Sequence, residues 1–315
     1  MSLVHYGFSL AGSSHVAANT GCQDSHYAVS VTGSNSNMIV AAVADGMGSA
    51  RYRCSADGSK IATKAAVDFI ARLYSPRAST QSLELLMVSA FRFALAALKK
   101  RALSEEMLLE DYSTTLTAVI LSNEQLVYGH LGDGGIVGLD QTGTFHRITE
   151  QQKGEFCNQT NTINTGIDEL VTGSLNTRLC SVLLMTDGVY EYICDSLMTN
   201  YDPPLRAAFL RSFMDNSVLG LHSQPLAQEM VEQMEAYFFN GDGSQITTDD
   251  ITMLGIVDTQ QVPAIREEAY YCTNYLEEAL RSQKQGVYKL LANTAQHKQV
   301  DVKTQGDGGS NVAQK

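Results

Sequence analysis

Basic residues are in short supply: Lys and Arg number 22 against 34 Asp and Glu, leaving a formal net charge of −12. A surface of that sign repels phosphate backbones, and no run of Lys and Arg offsets it, so no nucleic-acid partner is expected. Proline is scarce, with five in 315 residues, and no proline-rich stretch marks a linker. No internal repeat is visible. The six cysteines (Cys22, Cys54, Cys157, Cys180, Cys194 and Cys272) lack the close pairing of a zinc knuckle or a dithiol redox motif. Several lie in or beside apolar stretches, where a reduced thiol acts as a small hydrophobe. Residues Met1 to Leu10 show neither the basic start nor the long apolar core of a signal peptide. No segment reaches the ~18 uninterrupted apolar residues needed to cross a bilayer. These absences predict a cytoplasmic protein with reduced thiols and no membrane partner.

What is present is an ordinary globular composition, 44% apolar and 18% charged. Short apolar runs recur, and several stop at an acidic residue. Met38 to Ala44 runs into Asp45, Gln125 to Gly132 into Asp133, and Ser181 to Thr186 into Asp187. The run from Ile251 to Val257 starts just after Asp249 and Asp250. Runs of this length, rich in Val, Ile and Leu, read as buried strands. Tyr112 to Ser122 and Gly135 to Leu139 add two more, and short polar turns between them favour antiparallel neighbours. Helical spacing of apolar residues predicts helices over Ser55–Tyr74, Gln81–Leu103, Leu205–Met214, Pro225–Phe239 and Pro263 to about Ala295. The polar, Gly-rich end reads as a disordered tail. The fold class expected is α+β, a layered sandwich of antiparallel strands with helices set apart. Its main domain covers 1–258, followed by a C-terminal helix within 259–296 and a tail over 297–315.

A single Asp-Gly after a strand is more often a turn than a ligand. Repetition changes the weight. Several strands each deliver a carboxylate at an end, and strands of one sheet bring such ends together. Clustered carboxylates repel unless protonated or bridged by a cation. A set of hard oxygen ligands without His or Cys selects Mg²⁺ or Mn²⁺ over zinc.

In order along the chain stand Cys22-Gln23-Asp24, Asp45-Gly46-Met47-Gly48, Leu131-Gly132-Asp133-Gly134, Thr186-Asp187-Gly188 and Thr248-Asp249-Asp250-Ile251-Thr252. This series resembles the acidic motifs of PP2C-type, metal-dependent serine/threonine protein phosphatases, over about residues 5 to 258. Gly12-Ser13-Ser14-His15, Ser49-Ala50-Arg51, Asn158-Gln159-Thr160 and Ile163-Asn164-Thr165 make it similar to a bacterial PP2C-like branch. The resemblance implies an α-β-β-α sandwich of two mainly antiparallel sheets. It implies two Mg²⁺ or Mn²⁺ ions, with Asp45 bridging them, Gly46 offering a carbonyl, Asp187 and Asp249 completing one site, and Asp24 supporting the other. Asp133, Asp187 and Glu191 resemble a third, weaker site, with Glu191 standing where the family has Asp. The implied reaction is hydrolysis of phosphoserine or phosphothreonine on a protein by a hydroxide held between the two ions. The implied partners are a phosphorylated protein and a serine/threonine kinase system.

Two family features are missing. No arginine precedes the first acidic motif, where the family binds phosphate; Asn19, Thr20 and Gly21 stand there, and Arg51, Arg53 or His15 are the available substitutes. No histidine follows the Asp45-Gly46 motif to protonate the leaving alcohol, which leaves His15 or a metal-bound water. His15 and Arg51 are equally compatible with structural and surface roles. Cys22 reads as packing rather than as a nucleophile, and His130 as a core residue. A phosphatase of small phosphoesters and a weak or inactive regulatory module on the same fold are the alternatives.

Overall fold

The computed structural model describes residues 3–32, 37–122, 124–152, 160–194, 205–240, 243 and 246–272. The chain opens with strand β1 (Leu3–Leu10), the short helix α1 (Ser13–Ala18) and strands β2 (Ser25–Thr32) and β3 (Asn37–Ala44). Helices α2 (Ser55–Leu73) and α3 (Thr80–Ser104) follow. Strands β4 (Leu116–Leu121), β5 (Leu126–Leu131), β6 (Gly135–Asp140), β7 (Phe145–Arg147), β8 (Val171–Leu175) and β9 (Leu179–Met185) come next. Helices α4 (Asp187–Ile193), α5 (Ala207–Met214), α6 (Asn216–Leu219) and α7 (Gln224–Asn240) precede strand β10 (Ile251–Asp258) and the single turn α8 (Glu268–Tyr271).

Two five-stranded sheets result, ordered β1-β10-β9-β6-β7 and β2-β3-β4-β5-β8, with every pairing antiparallel. They pack face to face. Alternation along β3 shows why its apolar run is continuous: Ile39, Ala41 and Val43 face the other sheet, while Met38, Val40, Ala42 and Ala44 face helices. Along β10, Leu254 and Ile256 point between the sheets and Met253 and Val257 point outward, beneath Phe213 and Phe238. A strand covered on both faces has no solvent side to carry polar residues. The α+β expectation holds, as an α-β-β-α sandwich.

Helix α3 is long and apolar enough to cross a membrane by length and composition alone. In the fold, its Leu83, Met87, Phe91, Ala94 and Leu98 are buried in the cluster over the second sheet. Its start is capped by Ser79, whose hydroxyl accepts from the Ser82 amide.

The helix expected from Pro263 is corrected. Residues 261–267 are not helical, and only Glu268–Tyr271 makes a turn. Tertiary contacts override the apolar spacing here. The Ala264 amide donates to the Gln141 carbonyl, the Tyr270 hydroxyl accepts from the Phe145 amide, and the two rings stack 6.3 Å apart. The rest of that helix and the tail over 297–315 lie outside the described residues. The strand expected from Tyr112 begins only at Leu116, after a 3-10 turn over Leu109–Tyr112.

Candidate metal centre

In antiparallel sheets, one edge of the sandwich collects the ends of alternate strands and the starts of their neighbours. Here that edge receives the ends of β1, β3, β5 and β9 and the starts of β2, β4, β6 and β10. The register makes this explicit: Ser25 lies opposite Ala44, Leu116 opposite Leu131, Gly135 opposite Met185, and Leu10 opposite Ile251. Asp24, Asp45, Asp133, Asp187 and Asp249 each sit within two residues of one of these strand termini, so the topology gathers them.

Asp45 is fixed by its backbone. Its amide donates to Thr115 Oγ1 at 2.9 Å, and its carbonyl accepts from the Thr115 amide and from Thr114 Oγ1, both at 2.8 Å. The Ile163 amide in turn donates to the Thr114 carbonyl, so the Ile163-Asn164-Thr165 segment backs this turn. Gly46 threads between two chains, its amide donating to the Gln23 carbonyl at 3.2 Å. A Cβ at Gly46 would stand 2.6 Å from the carbonyl oxygens of Gln23 and Ser55. Gly46→Ala is therefore expected to cost about 1–3 kcal/mol and to weaken cation binding, read as a lower melting temperature and a higher Mn²⁺ requirement.

Asp187 opens α4, and Thr186 before it is a relay. The Thr186 hydroxyl donates to Asp24 Oδ2 at 2.7 Å and accepts from the Thr252 amide at 3.1 Å. Asp133 lies in the β5–β6 turn; its carbonyl accepts from Gln151 Nε2 at 2.6 Å, and its carboxylate accepts from Thr160 Oγ1. One carboxylate oxygen from each of Asp45, Asp133 and Asp187 lies within 4.8 Å of the others.

The electrostatics follow from this crowding. Burial and then the charges of Asp187, Asp24, Asp133 and Asp249 push the Asp45 carboxyl well above its ordinary range. Burial and then Asp133, Asp249, Asp24 and Glu191 do the same to Asp187. Burial lifts Asp24 to about 7; the Thr186 hydroxyl holds it down and the charge of Asp250 adds to the rise. This donor set fits hard divalent cations. Oxygens sharing one Mg²⁺ at ~2.1 Å stand at most ~4.2 Å apart, a small adjustment from the spacing seen. The structure brings Asp133 together with Asp45 and Asp187, while Asp249 is grouped with His15 and Asp250, the ligand atoms of each group lying within 4.8 Å of one another; the charges of Asp24 and the exposed Glu191 also bear on the first cluster.

Asp250 is a residue that sequence reasoning left without a role. It is buried and latches three segments, accepting from the Gly12 amide at 2.8 Å, the Gln23 amide at 2.6 Å and His15 Nδ1 at 2.7 Å. Its own amide donates to Asp249 Oδ1 at 2.8 Å. The only sequence signal was a second carboxylate next to Asp249. With Nδ1 taken by Asp250, the His15 ring turns its other nitrogen toward Gly48: a Cβ built there would lie 3.5 Å from Nε2. Arg51 is exposed and ion-paired to Glu110, and Arg53 makes a two-pronged pair with Asp111 at 2.9 and 3.0 Å. Cys22 is half-buried, and burial followed by the charges of Asp24 and Asp250 pushes its thiol up, against a nucleophilic role. His130 is a core residue, bonded through Nδ1 to Thr117 Oγ1 at 2.8 Å.

Two antiparallel sheets between helices, with an acidic cluster along one shared edge, define the PP2C-type class of phosphatase folds. The chain belongs to the protein phosphatase 2C family, whose sequence pattern matches residues 11–235. Among solved structures it is similar to the serine/threonine phosphatase PstP/Ppp of Mycobacterium tuberculosis, at 16% identity, covering 82% of this chain and 99% of that one, with a TM-score of 0.53. It is similar to Stp1 of Staphylococcus aureus, at 13% identity, 82% and 96% coverage and a TM-score of 0.53. The catalytic domain of PstP in complex with two manganese ions matches at 17% identity, 81% and 97% coverage and a TM-score of 0.52. No curated protein sequence matches.

Proposed function

We propose that the protein hydrolyses phosphoserine and phosphothreonine on proteins, dependent on Mg²⁺ or Mn²⁺. The observation that carries this reading is the convergence of Asp45, Asp133 and Asp187 from three strand ends, in a cluster whose mutual repulsion calls for cations. Bound divalent cations supply an activated water at neutral pH and neutralise phosphoryl oxygens. The chain's own residues do the rest. Asp45, Asp187 and Asp249 hold the cations, Asp24 and Asp133 surround them, and Thr186 and Thr114 fix the carboxylates' backbone and orientation. Asp250 orients His15, which in its protonated form carries a proton on Nε2 for the departing side-chain oxygen. The substrate is a phosphoprotein made by a kinase, and the setting is the cytoplasm.

One observation favours a second reading, a weak or inactive regulatory module. Arg51 and Arg53, the nearest guanidinium groups in sequence, are already neutralised by Glu110 and Asp111, so neither is a ready phosphate receptor. Release of phosphate from a phosphothreonine peptide separates the two. The phosphatase reading expects turnover with Mn²⁺ that vanishes with EDTA and in Asp45→Ala. Mn²⁺ binding without turnover on several peptides would instead establish the regulatory module.

A further inference from the structure

We infer that the outer face of helix α3 docks on the surface of an anionic phospholipid bilayer, a contact that goes beyond the proposed reaction and does not depend on it. The inward side chains of α3 close the core over the second sheet. What the helix turns outward is also apolar. Leu85 and Leu103 stand 62% and 80% exposed, and Phe93 46%. Only 33% of the most apolar stretch of α3 is buried, so the core alone does not account for its composition. Leu85, Arg92, Ala96, Lys99 and Leu103 recur at helical spacing and are all exposed. They form a straight stripe about 27 Å long at ~1.5 Å per residue.

Charge complementarity names the occupant. From Ser55 to Ser104, which holds α2 and α3, stand eight Lys and Arg against three Asp and Glu; the rest of the chain carries 14 against 31. The charge is therefore lopsided, and an anionic surface turns the basic layer toward itself. Among the described residues, Arg92, Lys99 and Lys100 form no ion pair, whereas Lys64 is paired with Asp68 and Arg101 with Glu105. Free cations interspersed with exposed Leu and Phe suit a bilayer interface, where apolar tips enter the acyl boundary and cations stay at the headgroups. A second copy would set two such basic faces against each other, with like charges opposed. A nucleic-acid backbone matches the charge but offers nothing apolar to Leu85 and Leu103. Docking through α3 also keeps the carboxylate edge beside the bilayer. The Tyr112 hydroxyl donates to Glu105, one residue past the helix, and Thr114 and Thr115 a little further on hold Asp45.

The test is co-sedimentation of the full-length protein with phosphatidylcholine vesicles, with and without a third of phosphatidylglycerol, in EDTA so that no cation bridges carboxylates to lipid. The wild type is expected to bind the anionic vesicles at least about tenfold more tightly than the neutral ones, and to come off as salt rises. Lys99→Glu with Lys100→Glu should weaken that binding by at least about 20-fold, at ~fivefold for each cation removed. Leu85→Ser with Leu103→Ser should weaken it by about tenfold. All four side chains are exposed, so both double variants are expected to melt as the wild type does. Val262→Ser, at an exposed apolar residue outside α3, should bind as the wild type does. A wild type that stays in the supernatant with anionic vesicles overturns the inference. Binding that either double variant leaves unchanged places the contact elsewhere and also overturns it. So does a dimer that Leu85→Ser with Leu103→Ser dissociates while vesicle binding is absent, which assigns the face to a second copy. None of these readouts needs turnover, so the phosphatase reading stands or falls separately.

Discussion

Asp45→Asn is expected to lower Mn²⁺-dependent phosphate release by at least about 10³-fold, equivalent to ~4 kcal/mol of lost transition-state stabilisation, and yet to raise the melting temperature in EDTA. Both halves come from one cause. Asp45 is the residue on which the charges of Asp187, Asp24, Asp133 and Asp249 all act. Two carboxylates within about 5 Å repel by on the order of 3 kcal/mol at an effective dielectric near 20; solvent at the half-open edge reduces this. Asparagine keeps the shape and the backbone anchoring by Thr114 and Thr115 while removing one charge. A gain of about 1–3 kcal/mol in the cation-free protein is the expected result, several degrees in melting temperature for a chain of this size. Saturating Mn²⁺ should reverse the ranking, because the wild type gains binding free energy that the variant has lost. A variant that melts no higher than wild type in EDTA would show that the carboxylates do not strain the cation-free fold.

The parts of this arrangement visible in the sequence were those with local causes. Strands β3, β9 and β10 are buried on both faces, so they write continuous apolar runs, and the carboxylates beside them stand out. Helices α2 and α3 bury one face each and show it at helical spacing. Strands β1, β2, β7 and β8 carry no such signal. β1 alternates Tyr6 and Phe8 with Gly7 and Ser9, and β8 is a short run, Val171 to Leu175, placed by pairing with β5 rather than by its own pattern. The helix expected from Pro263 starts later for the converse reason: its spacing is apolar, but Ala264 and Tyr270 are claimed by the β6–β7 region. In the site, Thr186, Thr114 and Asp250 act through partners far along the chain, such as Asp24 for Thr186 and Gln23 for Asp250. Nothing within a few residues of them signals those bonds. Arg51 is the mirror case. Its closeness to Asp45 in sequence suggested phosphate, but Glu110, brought alongside by the fold, takes its guanidinium.

The same carboxylates give the cation-free protein an unusual pH dependence. A carboxyl whose folded pKa is raised holds its proton in the native state after the unfolded chain has lost it. The native state then binds more protons, and stability falls as pH rises from the ordinary carboxylate value to the raised one. Asp24, lifted to about 7, contributes this loss between about pH 4 and 7, and Asp45 and Asp187, raised by burial and neighbouring charge, act in the same direction. Opposing groups act at lower pH. Burial depresses His26 and His130 to about 4, so between about 4 and 6.5 the unfolded chain binds their protons more readily and stability rises with pH. Above about pH 7 both imidazoles are neutral in either state and cancel no further. In EDTA, stability is therefore expected to fall as pH rises from about 6.5 to 7, where the imidazoles no longer offset Asp24, measured by urea unfolding. The slope should be shallower in Asp45→Asn, which removes one of the raised groups. Saturating Mn²⁺ should flatten or invert it, since the cation takes the place of the protons and binds better as they leave. A flat profile in EDTA, with the same profile in Mn²⁺, would mean that the carboxylates are ionised without help and do not form a cation site.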